Sequence, residues 1–129
     1  MSNINAQKLS KHQWKNRLIL VLTNDITNTN YQNQLKAFQT EKEGMKERKL
    51  LVYHITPTQY CIENDNKEWH NSSKLHKNYK QTNAPFEVIL IGLDGQIKLT
   101  QNEILHTDKL FAIIDGMPMR RAELRRKKT

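Results

Sequence analysis

The chain has 129 residues, enough for one domain whose core buries roughly two-thirds of the unfolded surface. Its single cysteine, Cys61, excludes an intrachain disulfide and any metal site built from several thiolates. Against 13 Asp and Glu stand 21 Lys and Arg, a net charge of +8 that favours anionic partners by long-range attraction, although much of the excess gathers at the C-terminus, where it also serves solubility.

Residues 1–13 are polar and contain no apolar stretch of the kind a signal peptide needs. As written the chain reads as cytoplasmic; an exported protein trimmed of its leader would look the same. Arg17–Thr23, "RLILVLT", is a continuous apolar run that predicts a strand buried on both faces. The longest apolar run, Leu18–Leu22, is far too short to span a bilayer. After the polar loop Asn24–Asn30, Tyr31, Leu35 and Phe38 recur at helical spacing, with Thr29 or Asn30 as N-cap and Gly44 near the helix end. Lys49–Thr56 is a second strand, stopped by Pro57. Strand, helix, strand implies a right-handed crossover and a parallel pair.

The stretch from Pro57 to Pro85 is rich in Asn, Lys and Gln, and Trp69, Leu75 and Tyr79 predict a short helix within residues 67–80. "FEVILIGL" then reads as a buried strand, Asp94-Gly95 as a two-residue hairpin turn, and "QIKLTQ" as an alternating edge strand. His106–Gly116 predicts a helix capped by Thr107, with Leu110, Ile113 and Ile114 towards the core and Gly116 ending it. From Pro118 a basic helical tail begins. The expected organisation is a polar segment 1–13, a domain 14–117 and a tail 118–129.

The resulting order, β-α-β-α-β-β-α, resembles the thioredoxin arrangement: an α/β, thioredoxin-like fold with a central mixed sheet of four strands flanked by helices. Pro85, in "APFEVIL", stands where that fold places a proline, usually cis, before its closing hairpin. More specific words are "WKNRLILVL", "ERKLLVY", "FEVILIGLDGQIKL" and "LFAIIDGMPMRRAE". With these the chain resembles a bacterial thioredoxin-like family of unknown function, related to DUDES-type domains in animal sushi-repeat and coiled-coil extracellular-matrix proteins. The resemblance implies a thioredoxin-like fold without an established enzymatic activity.

In a redox-active thioredoxin fold the nucleophilic cysteine follows the first buried strand, at a helix N-terminus that lowers its pKa. The matching stretch here, "TNDITNTNYQ", holds no cysteine, and Asp, Asn and Thr cannot exchange disulfides. Cys61 lies beyond the second strand and reads as a small half-buried side chain. No catalytic residue is assigned, and the domain is expected to be redox-inactive. The vacated helix N-terminus beside the backbone at Pro85 could hold an anion or a peptide strand, with Asp25 and Pro85 as candidate binding residues and Asp25 equally a turn residue. Five histidines show no metal-binding spacing, so neither a metal nor a cofactor is expected.

In the tail, Arg120, Arg121, Arg125, Arg126, Lys127 and Lys128 oppose Glu123, with Leu124 expected to touch the domain. Arg120, Arg121 and Arg125 are therefore candidate contacts for phosphates or acidic surfaces. The tail has no aromatic residue to stack on bases, which argues against sequence-specific nucleic-acid recognition. Three readings follow: a redox-inactive module that binds another protein, a non-redox enzyme using a cleft near Asp25 and Pro85, and a polyanion binder acting through the tail.

Overall fold

A computed structural model describes residues 9–63 and 68–127. β1 (Arg17–Thr23) is buried at every position, as its apolar run predicts for a central strand. β2 (Leu50–Ile55) runs parallel to it, and β5 (Phe86–Ile91) lies antiparallel on its other side. β6 (Ile97–Gln101) forms one edge. The sheet has six strands rather than four, because β3 (Gln59–Glu63) and β4 (Trp69–Asn71) extend it beyond β2 in the order β4-β3-β2-β1-β5-β6. Both lie in the stretch read as loop and helix. β3 is five residues without inside-outside alternation and β4 is three exposed residues, so no period-2 signal stands out. The expected helix shrinks to Lys74–Tyr79, and its first expected residue, Lys67, lies outside the described residues.

The alternation of the strands divides the core into two layers. Ile19, Val21, Val52, Val88 and Leu90 face one side, where they meet Tyr31 and Phe38 of α1 (Thr29–Thr40), Met45 of α2 (Lys42–Glu47), and Leu110 and Ile114 of α4 (Thr107–Asp115). On the other side Leu18, Leu20, Leu22, Tyr53, Ile55 and Ile89 meet Leu75 of α3 (Lys74–Tyr79) and Leu9.

Several local expectations shift. The N-cap of α1 is Asn28, whose side chain accepts from the Tyr31 N–H at 3.0 Å; four cap-capable residues in tandem left spacing alone unable to choose. His106, without a side-chain cap bond, holds the cap position before α4, and Thr107 is already helical. The Asp94-Gly95 turn is longer than two residues: Gly95 N–H closes on the Gly92 carbonyl with Gly95 at φ 81°, and Gly92 N–H donates to the Gln96 carbonyl. Gly44 lies inside α2, where a Cβ would stand 2.6 Å from the Phe111 ring, itself stacked beneath the Arg48 guanidinium at 3.9 Å. Gly44→Ala is therefore expected to cost about 1–3 kcal/mol through overpacking, measurable by urea unfolding.

Both ends of the chain extend the domain. Residues 1–8 of the polar segment lie outside the described residues, but Leu9 is buried and His12 Nε2 sits 2.7 Å from the Tyr53 hydroxyl. Burial, then Lys11 and Lys15, lowers the His12 pKa below its ordinary value. A histidine depressed in the folded state adds stability above the unfolded pKa and loses it as pH falls. The Leu9–His12 attachment should therefore loosen on acidification below about pH 6.5, seen as faster amide exchange there, and His12→Gln should remove that pH dependence. At the other end, α5 (Pro118–Lys127) is anchored through the buried Arg120 and Glu123, with Leu124 partly buried. No helix among the described residues is long and apolar enough to cross a membrane.

Candidate functional site

The loop between β1 and α1 occupies the place where a redox-active thioredoxin fold keeps its nucleophile, and the Thr23, Asp25 and Asn28 side chains are engaged locally. The Thr23 hydroxyl donates to the Asp25 carbonyl at 2.8 Å, the Asp25 carboxylate accepts from the Thr27 N–H at 2.9 Å, and Asn28 caps α1. The Thr27 hydrogen bond holds the Asp25 carboxyl below the usual carboxylate range. Beside it Ile26 is half exposed at 50%.

Pro85 does come beside this loop, its carbonyl accepting from the Asn24 N–H at 3.0 Å. No cis peptide occurs among the described residues, so the Ala84–Pro85 bond is trans, the default for about 95% of such bonds, where the resemblance implied cis. The approach to Pro85 is held from both sides. The Lys80 ammonium donates to the carbonyls of Thr82 and Ala84. The fully buried Glu87 carboxylate accepts from the Gln81 N–H at 2.7 Å, the Thr82 N–H at 3.1 Å and the Thr82 hydroxyl at 2.8 Å.

A second polar cluster lies under the first turn of α1. Tyr31 Oη is 3.1 Å from His54 Nδ1, and His54 Nε2 is 2.8 Å from Glu63 Oε1. A carboxylate needs a donor, so in the neutral ring Nε2 carries the proton and Nδ1 accepts from the phenol. Burial, with Cys61 and Glu63 nearby, pushes the Tyr31 hydroxyl up to about 12, so it stays a donor. Cys61 is the cross-strand neighbour of His54 and is only 2% exposed. Both imidazole nitrogens are thus committed to Tyr31 and Glu63 rather than to the thiol. Among the described residues no three His, Cys, Asp or Glu side chains converge as a metal site.

The basic tail is a different object from the one its composition suggests. Arg120 is not a surface cation; it is 2% exposed, with Nε 3.1 Å from Asp115, Nη2 2.8 Å from Glu47 and Nη1 3.4 Å from Glu123. Burial opposes its charge, but the bonds to Glu47, Asp115 and Glu123 outweigh that and hold its pKa above the ordinary value. Glu123 also meets Arg17, and Arg48 grips Asp115 with two hydrogen bonds. The network ties β1, α2, α4 and α5 together, and its members come from "WKNR", "ERK" and "DGMPMRRAE". Arg121 and Arg125 remain exposed; Lys128 lies outside the described residues. Arg17 begins β1 and Asp25 follows its end, so tail and loop cannot form one site.

A family described as a domain of unknown function, DUF4174, matches residues 8–123. The chain belongs to the DUF4174 family. No curated protein matches it significantly. Among solved structures this DUF4174 domain is similar to a reduced 2-Cys peroxiredoxin from Plasmodium vivax, with a TM-score of 0.58, 14% identity, and coverage of 94% of this chain and 85% of the other. At that identity the likeness speaks for the fold alone, which is thioredoxin-like.

Sequence reasoning missed the Tyr31–His54–Glu63 chain and the buried charge network of the DUF4174 domain. Its residues come from segments far apart in sequence, and no spacing rule links them. It also missed two non-glycine residues in left-handed conformation, Trp14 at φ 70° and Lys49 at φ 56°.

Proposed function

We propose that this DUF4174 domain is a redox-inactive thioredoxin-like scaffold that binds another protein. The observation that carries the reading is the N-terminus of α1. It offers no thiol, the Thr23, Asp25 and Asn28 side chains there are engaged in turn and cap bonds, and the only cysteine is buried on β3. Thiol chemistry needs an accessible thiolate. In support of a binding role, the loop presents Ile26 to solvent between Asp25 and the cap, alongside Pro85. An enzyme built on Asp25 and Pro85 would need a concavity there, and four grooves among the described residues are lined by other residues.

Insulin reduction and peroxide consumption are expected to stay at background, unchanged by Cys61→Ser, and Cys61 should react with a thiol reagent only after unfolding. Clear turnover that depends on Cys61 overturns the reading. A second reading, polyanion binding, is favoured by Arg121 and Arg125, exposed one turn apart without an ion-pair partner among the described residues. It requires heparin binding that weakens steeply with salt and is lost in Arg121→Ala/Arg125→Ala.

A further inference from the structure

We propose that the groove between α1, α2 and β2 binds a medium-chain carboxylate, its alkyl tail on the apolar floor and its head at the lysine rim. This goes beyond the protein-binding reading and does not rest on it. The groove encloses about 370 Å³, within the range of small-molecule sites. Leu35, Phe38, Met45, Leu50 and Val52 supply an apolar floor. Lys42, Lys46 and Lys49 line its rim.

Two of the three rim lysines lack an ion-pair partner among the described residues. Lys42 and Lys46 stand four residues apart on α2, both exposed, with no ion-pair partner among the described residues. Like charges at this spacing repel, and a bound anion would relieve them. Glu63, the carboxylate that lines the groove, is turned to His54 Nε2 at 2.8 Å. Lys49 is held at φ 56°, a conformation glycine adopts without strain. Its half-exposed side chain lies between this groove and Glu123, whose carboxylate is 3.9 Å from its ammonium. A cationic mouth over an apolar floor selects an amphipathic anion. An added peptide strand does not fit, because β2 is paired on both edges, by β1 and β3.

Titration of the full chain with decanoate, below its micelle concentration, tests the site by amide chemical-shift mapping. Saturable shifts are expected to cluster on α1, α2 and the start of β2. Octanoate should bind roughly tenfold more weakly, as the loss of two buried methylenes dictates. Lys42→Gln/Lys46→Gln, both exposed positions whose spectrum reports that the fold is retained, should weaken decanoate about tenfold. Lys49→Gly should raise stability while weakening binding severalfold, a split that a purely structural lysine would not give. The proposal is overturned if decanoate shifts no residue in the groove, if decyltrimethylammonium produces the same shifts, or if the double variant binds decanoate as the parent does.

Discussion

Arg120→Ala is expected to destabilise the domain by about 3–5 kcal/mol, whereas Arg121→Ala, its neighbour, changes stability by less than about 0.5 kcal/mol. The contrast follows from burial. Arg120 is almost wholly enclosed and faces three carboxylates, Glu47, Asp115 and Glu123. Removing it leaves those carboxylates crowded, with Glu123 itself buried beside Arg17. At this chain length the loss lowers Tm by on the order of 10–20 °C. Arg121 is exposed, and its charge is screened by solvent. Urea or thermal unfolding of both variants checks the pair, and equal effects would refute the assignment of Arg120 to the interior. The network also sets an acid limit. The Arg48 hydrogen bonds first, and those of Arg120 after them, hold the Asp115 carboxyl below its ordinary value. A carboxyl depressed in the folded state contributes stability above the unfolded pKa and loses it as pH falls through the folded value. Unfolding in acid should therefore begin below about pH 4, and Asp115→Asn should flatten that part of the profile.

Glu87→Ala is the second large effect, about 3–5 kcal/mol, with Glu87→Gln intermediate. Glu87 lies on β5 with no exposure, and its carboxylate gathers donors from Gln81, Thr82 and Asn102, with the Lys80 ammonium 3.9 Å away. Alanine leaves backbone N–H groups of Gln81 and Thr82 without that acceptor and the nearby ammonium without its counter-charge. Glutamine keeps an oxygen but turns an NH₂ towards donors. Beyond global unfolding, amide exchange at Gln81 and Thr82 should accelerate, because the segment before Pro85 is pinned there. A loss under about 1 kcal/mol with unchanged exchange would mean the carboxylate is not what holds the loop. Since the same loop places the Pro85 carbonyl against Asn24, Glu87 also positions the surface proposed for protein binding.

The strands β1, β2, β5 and β6 and the helices α1 and α4 were legible because each carries its own period over enough residues. β1 reads as buried from seven consecutive residues, and Leu110 and Ile114 mark the inner face of α4 from spacing alone. The same local chemistry excluded a cysteine from the α1 N-terminus. The β3–β4 hairpin was hidden because both strands are short and β4, at the sheet edge, is exposed throughout.

Composition alone made the tail a set of exposed cations; only the tertiary structure separated Arg120 from Arg121. On a helix, neighbouring residues point about a quarter-turn or more apart, and which direction meets Glu47 and Asp115 depends on how α5 docks, not on its own sequence. The same holds for His54, whose partners come from α1 and β3, and for the groove, whose lysines and floor come from three elements. Sequence by itself determined the elements, the scaffold and the missing thiol, because those are set by local periodicity and residue chemistry. Which charges are interior and which are available to a partner was decided by packing, because desolvation is a property of the assembled fold.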